Sequence, residues 1–167
     1  MEDGTISDPV DTRRVALATP GGFLAFGLGS GLSPIAPGTA GTVASLVPAV
    51  ILVQLPFWPA LALVVLAFFI GIYLCGVTGR ALGVHDHGGI VWDEFVGMWL
   101  VLLFVPFHWA WWLAAFVLFR LFDILKPWPI RWLDRRVHGG FGVMIDDVLA
   151  SVYALLILIP AVHFIGF

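Results

Sequence analysis

The sequence predicts an all-α fold: an integral membrane bundle of about five helices whose polar, glycine-rich loops gather on the cytoplasmic side. Three observations predict it. The first is composition. Of 167 residues, 60% are hydrophobic and 11% are charged, with a mean hydropathy of +1.02. A soluble domain carries about 25% charged residues, and a soluble monomer of this make-up would have too little polar surface to cover its apolar side chains. The second is the division of the apolar residues into five runs, 43–55, 58–76, 95–105, 109–122 and 148–164. The third is that all Lys and Arg residues and all 11 acidic residues fall in or beside alternate spacers, 1–42, 77–94 and 123–147.

In chain order, the segment Met1–Pro9 is acidic and has no apolar run, so it does not read as a cleavable signal peptide. Residues 1–22 read as a mobile cytoplasmic tail and residues 23–167 as one membrane-embedded domain. The spacers Leu55-Pro56-Phe57-Trp58-Pro59 and Val105-Pro106-Phe107-His108-Trp109 carry no Lys, Arg, Asp or Glu, and their prolines favour helix breaks. Trp58, Trp109, Trp111 and Trp112 suit an interfacial belt. If the runs are antiparallel helices, the three charged spacers share one side, and the positive-inside rule makes that side cytoplasmic. Two runs are short for a span of about 20 residues. The 11-residue run 95–105 rises only about 17 Å. Such helices either extend into the polar loops or form a shallow re-entrant hairpin, and both return the chain to the same side.

A net charge of −3 argues against a nucleic-acid partner. The single cysteine, Cys75, excludes an internal disulfide and a cysteine-rich zinc site and reads as a buried, inert thiol.

The chemistry lies in the charged spacers. Gly38-Thr39-Ala40-Gly41-Thr42 leads straight into a helix, whose N-terminus favours phosphate. No Gly-Lys-Ser/Thr follows, so it is not a Walker A loop, and Thr39 or Thr42 as an N-cap explains the segment equally well. Asp93-Glu94 stand at the head of the third run, where capping and the helix dipole account for one acid well. Gly97, one turn later, makes room for another helix or a substrate. Arg120, Asp123 and Lys126 share a helix face, and Pro127 ends that helix. Asp123 is either a structural partner of Arg120 or a chemical group, since such residues near the membrane are costly unless paired or functional. Asp146-Asp147 again precede an apolar run. Five acids converging at helix ends would repel one another, and a hard divalent cation such as Mg²⁺ resolves that conflict through oxygen ligands. His85-Asp86-His87 reads as a solvated loop, and Arg131, Arg135 and Arg136 read as headgroup-contacting residues or positive-inside anchors.

These motifs resemble those of the phosphatidylglycerophosphatase A family. The matching elements are Gly-x-Gly-x-Ser-Pro-x-Ala-Pro-Gly-Thr-x-Gly at 29–41, Asp-Glu-x-x-Gly at 93–97, Phe-Arg-x-Phe-Asp-x-x-Lys-Pro-x-Pro-Ile at 119–130, and Gly-Gly-x-Gly-x-Met-x-Asp-Asp at 139–147. They occur in family order over residues 27 to about 155. The resemblance implies a Mg²⁺-dependent phosphatase of the bacterial inner membrane, multi-pass, with its site facing the cytoplasm. Its implied substrate is the phospholipid phosphatidylglycerophosphate, converted to phosphatidylglycerol. On this reading Asp93, Glu94, Asp146 and Asp147 hold the metal. Asp123 completes the shell or acts as base, Arg120 and Lys126 neutralise the phosphate, and Ser33, Gly38, Thr39 and Thr42 bind it. A transporter or ion-binding membrane protein with a cytoplasmic acidic site is the alternative. Neither a cysteine-phosphatase loop nor an Asp-x-Asp-x-Thr nucleophile motif occurs, which favours activated water over a covalent phospho-enzyme.

Overall fold

The computed structural model describes residues 11–84 and 87–165. Among the described residues all regular structure is helical. The five apolar runs each lie on a helix: α3 (Pro37–Leu52), α4 (Phe57–Leu82), α5 (Trp92–Leu102), α6 (Trp109–Leu125) and α8 (Gly139–Ile165). Three short helices join them in what the sequence reading treated as tail and loop: α1 (Thr12–Ala18), α2 (Pro20–Ala25) and α7 (Ile130–Asp134). The described chain therefore has eight α-helices rather than about five, with a 3₁₀ turn at Ser30–Leu32.

The extra helices have local causes. The Asp11 carboxylate accepts from the Arg13 N–H (3.0 Å) to start α1, and Thr19 Oγ1 accepts from the Gly22 N–H (3.0 Å) to start α2, with Pro20 at its first position. Both helices pack on α4, burying Ala16 and Gly22. Residues 12–22 are thus part of the folded body and not of a tail. The sequence reading extended the tail from the acidic Met1–Pro9 to residue 22, and short helices with capped starts carry too few residues to show a periodic pattern.

Helix α5 is the centre. It touches α3, α4, α6 and α8, and eight of its eleven residues are buried. A helix apolar nearly all round finds its place inside a bundle, so its short length needs no re-entrant hairpin. One apolar cluster, including Phe26, Phe95 and Met144, packs it against α2, α4 and α8. The other, including Met98, Leu102, Phe119 and Leu158, packs it against α6 and α8. Two indoles lock it in place: Trp92 Nε1 donates to Ala67 O (3.1 Å) and Trp99 Nε1 to Ser45 O (2.9 Å). Cys75 is buried, with Sγ 3.8 Å from Met144 Sδ.

The Phe57 and Phe104 rings meet edge-on at 5.4 Å, so the two uncharged turns lie together. The charged spacers meet at the opposite end. Helices α4 and α8, of 26 and 27 residues, are long and apolar enough to cross a bilayer. Only 33% and 28% of their apolar windows are buried inside the protein. Their outward faces carry large apolar side chains such as Leu66, Phe69, Leu156 and Ile159, as expected where the surrounding solvent is lipid. Trp58 and Trp109 are exposed, whereas Trp111 is 8% exposed and belongs to the core. Two residues along the helix is about 200° around its axis, so Trp109 and Trp111 lie on opposite faces.

Candidate active site

At the charged end, α5, α6, α7 and α8 each bring a carboxylate to one cleft of about 340 Å³. Its lining includes Asp93, Glu94, Asp123, Lys126, Asp134, Asp146 and Asp147. Asp93 and Glu94 lie in the first turn of α5, but neither caps it. The cap position is Val91, and it makes no side-chain cap bond. Asp146 and Asp147 do not open α8 either. That helix begins at Gly139, so both carboxylates lie two turns inside it. Capping therefore explains neither pair, although Glu94, Asp146 and Asp147 are 8%, 5% and 3% exposed and their burial is costly.

Asp93, Glu94, Asp146 and Asp147 divide into two groups. Asp93, Glu94 and Asp147 each offer a carboxylate oxygen, and these oxygens lie within 4.8 Å of one another. Glu94 Oε2 and Asp147 Oδ2 are buried and have no hydrogen-bond partner. Buried carboxylate oxygens without donors are costly, and those two, together with the neighbouring Asp93 carboxylate, have the spacing that fits a hard divalent cation. Asp146 points elsewhere. Successive helical residues are about 100° apart, and Asp146 Oδ2 accepts from Lys126 Nζ at 2.9 Å. The sequence reading's four-acid metal set is thus three acids in this geometry, with Asp146 serving Lys126.

Lys126 is held on both sides. Its Nζ also donates to Asp134 Oδ1 at 2.7 Å. Burial alone would lower the Lys126 pKa, but the hydrogen bonds to Asp134 and Asp146 outweigh it and hold the ammonium above the ordinary lysine value. Burial opposes ionisation of Asp134 as well, yet the Lys126 hydrogen bond holds its carboxyl below the usual carboxylate range. Lys126 ends α6 in a left-handed conformation (φ 42°) just before Pro127. That backbone is uncommon for a lysine and sets where its side chain leaves the helix. Asp134 was missed by sequence reasoning. It stands alone in its stretch of chain, and only the fold of α7 brings it back to Lys126.

Arg120 pairs with Asp123 one turn along α6 and reaches Glu94 Oε1 at 3.6 Å, so it links α6 to the α5 carboxylates. Gly38 lies directly against this pair. A methyl group there would overlap Glu94 Oε1 and come within 3.0 Å of Arg120 Nη2. The absence of a side chain at Gly38 therefore keeps open the space beside both groups. Pro37 is the first residue of α3 and has no N–H, and the Ala40 N–H bonds to Ala36 O. The N–H groups of Gly38 and Thr39 thus precede the helix's own ladder and are donors at a positive helix end.

The other two proposed phosphate residues are placed differently. Thr42 is fully buried, and its hydroxyl donates to Gly38 O (2.9 Å), stiffening the turn instead of facing the cleft. Neither Thr39 nor Thr42 is an N-cap, which falls at Ala36. Ser33 Oγ donates to Ile35 O (2.8 Å) and shapes the loop ahead of α3. Gly97 receives another helix: Phe119 of α6 and Ser151 of α8 pack against it. The Ser151 hydroxyl lies 2.8 Å from Gly97 O and 2.7 Å from Asp147 O, fixing the turn that carries Asp147 to α5. His87 Nδ1 accepts from the Gly89 N–H (3.0 Å), and its ring lies 5.9 Å from Phe26. His85 and Asp86 lie outside the described residues.

Asp93, Glu94, Asp123 and Asp147 thus line one cleft, and Arg120, with Gly38 beside it, reaches that group through Glu94 and Asp123. Comparison with known proteins points the same way. The family model described as Phosphatidylglycerophosphatase A matches residues 23–162. The phosphatidylglycerophosphatase A of Escherichia coli (strain K12) is 52% identical over 155 residues, covering 92% of this chain and 87% of that protein. That of Haemophilus influenzae is 51% identical over 147 residues, 87% of this chain and 90% of that protein. A Bacteroides thetaiotaomicron protein, provisionally named a phosphatidylinositol-3-phosphatase, is 45% identical over 148 residues, 84% of this chain and 92% of that protein. No solved structure matches the chain.

Proposed function

The chain belongs to the phosphatidylglycerophosphatase A family, and from that premise we propose that it hydrolyses phosphatidylglycerophosphate to phosphatidylglycerol and phosphate in a Mg²⁺-dependent reaction at the carboxylate cleft. The observation that carries the reading is the cluster of Asp93, Glu94 and Asp147, whose ligand oxygens lie within 4.8 Å of one another and include buried oxygens with no donor.

Asp93, Glu94 and Asp147 would hold the cation. When bound, Mg²⁺ supplies positive charge to the phosphate oxygens and makes a neighbouring water more acidic. The protein's own groups do the rest. The Gly38 and Thr39 N–H groups and the Arg120 guanidinium bind the terminal phosphate, Arg120 by a planar fork that suits its oxygens. Asp123, positioned by Arg120, takes the proton from the attacking water. The new bond forms from that water's oxygen to phosphorus, the bond from phosphorus to the glycerol oxygen breaks, and the glycerol oxygen takes up the proton that Asp123 received, which returns Asp123 to its carboxylate. Lys126, pinned between Asp134 and Asp146, supports the positive side of the cleft as a fixed charge.

The protein is read as a multi-pass protein of the bacterial inner membrane with this cleft facing the cytoplasm. All its Lys and Arg residues lie at or near the charged spacers, and positive residues mark the cytoplasmic side. The acyl chains then remain in the bilayer while the headgroup enters the cleft. Phosphate release from phosphatidylglycerophosphate by purified protein in detergent, with Mg²⁺ and with a chelator, tests the proposal. Release that needs Mg²⁺, and metal binding lost in Asp147→Asn, are expected. Undiminished release in excess chelator would reject the metal, and no release under any divalent ion would reject the reaction.

A further inference from the structure

A second cleft adjoins the first across Lys126. It measures about 510 Å³ and is lined by Lys126, Trp128, Arg131, Trp132, Arg135 and Arg136, with Pro127 between them. Lys126 borders both clefts. On its inner side it bonds Asp146; on its outer side it stands beside three arginines. Among the described residues, no carboxylate lies within ion-pair distance of Arg131, Arg135 or Arg136. Asp134, the acid nearest them in sequence, is taken by Lys126. The platform is anchored: α7 packs on α8 through Ile130, which is fully buried. The guanidinium of Arg136 lies over the Trp132 ring at 4.3 Å, which leaves its in-plane N–H groups directed outward. Arg131 uses one N–H on Leu125 O (2.9 Å) and keeps the others. Trp128 is 78% exposed, as a ring at the headgroup level would be.

We propose that this cleft binds the internal phosphodiester of the substrate lipid, and so selects a headgroup carrying two phosphates. The inference rests on the proposed reaction. Its physical basis is charge. The carboxylate cleft accepts one phosphate with a cation, but its six acids repel a second anion placed near them. A lipid with a terminal monoester and an internal diester must hold the diester outside that cleft, within a glycerol's reach. An adjoining cationic surface lies across Lys126, which borders both clefts. There, guanidinium groups offer charge-assisted hydrogen bonds to phosphate oxygens, and the exposed tryptophans border the path of the acyl chains toward lipid.

Short-chain phosphatidylglycerol is the probe, because it keeps the diester and lacks the monoester. Its inhibition constant is measured on full-length protein in a nonionic detergent, where attachment to a bilayer plays no part. Inorganic phosphate is measured alongside it to report on the carboxylate cleft. In Arg135→Gln/Arg136→Gln the phosphatidylglycerol constant should rise about tenfold, well beyond any change for phosphate, with Arg135→Lys/Arg136→Lys falling between. A phosphatidylglycerol constant that does not move, or one that moves only in step with the phosphate constant, overturns the subsite while leaving the reaction intact. A wild-type protein that releases no phosphate from phosphatidylglycerophosphate overturns both.

Discussion

At the scale of single residues, the site depends on two positions that act in opposite ways. Asp123 contributes a group, and Gly38 contributes space. Asp123→Asn keeps an oxygen for Arg120 but removes the basic carboxylate, so the protein should fold and insert normally. Turnover should fall by about 10²–10⁴-fold, the usual worth of a positioned base. Phosphate release and the size-exclusion profile in detergent measure the two sides, and near-normal release would remove Asp123 from the mechanism. Gly38→Ala places a methyl where Glu94 Oε1 already lies and 3.0 Å from Arg120 Nη2. One of the two must shift. Because a displacement of about 1 Å near the chemistry costs about a hundredfold, kcat/KM should drop by that order while the amount of folded protein stays unchanged. If Gly38→Ala is fully active, the opening beside Arg120 is not where the phosphate binds.

At the scale of elements, Gly97 and Ser151 determine whether α5, α6 and α8 hold their carboxylates at a common depth. A Cβ at Gly97 would lie 2.7 Å from Phe119 Cε2, and Phe119 is fully buried and cannot retreat. Overpacking costs about 1–3 kcal/mol and exceeds the roughly 1 kcal/mol that alanine gains over glycine in helix propensity. Gly97→Ala should therefore be destabilised, by about 1 kcal/mol net. Ser151→Ala, which removes a buried hydroxyl tie, should lose about 1 kcal/mol. Thermal unfolding in detergent measures both, and a Gly97→Ala protein more stable than wild type would show that α6 can yield. The same elements show what a sequence discloses. The five apolar runs and the alternation of charged with uncharged spacers were legible because composition and charge are one-dimensional properties. The Asp93-Glu94 and Asp146-Asp147 pairs were legible as acids, but their depth was not. The glycines and Phe141 ahead of Asp146 look like loop, yet they are helical: Gly140 packs directly on Ile72 and Gly76 of α4, and the Phe68 and Phe141 rings lie 6.3 Å apart. Asp134 gave no signal at all, since its meaning lies in a contact with Lys126 across the Pro127–Pro129 corner. The separation of Asp146 from Asp147 likewise depends on how α8 is rotated, which its apolar residues, spread around the whole helix, do not reveal.

At the scale of the whole molecule, the cleft is where the bundle works against itself. The apolar end is held by the packing around α5, and the charged end gathers Asp93, Glu94 and Asp147 from two helices far apart in sequence. Arg120 and Lys126 offset part of that charge through Asp123, Glu94, Asp134 and Asp146. Arg120 approaches the Asp93–Glu94–Asp147 group through Glu94, at 3.6 Å. In the unfolded chain these acids are separate and solvated, so a cation that bridges them binds the folded state almost alone. Folding and metal binding must then be linked. At about a hundred times its dissociation constant, such a ligand stabilises by about 2.7 kcal/mol, which for a chain of this size raises Tm by about 5–10 °C. Mg²⁺ should produce that rise in detergent, and KCl at matched ionic strength should not, because screening acts on the surface and hardly on a buried group. Asp147→Asn should abolish the rise and, having relieved some of the repulsion, should itself unfold no earlier than metal-free wild type. A Tm unmoved by Mg²⁺ at concentrations that support turnover would mean the carboxylates tolerate one another without a cation. The cleft would then owe its chemistry to Arg120, Lys126 and Asp123 alone.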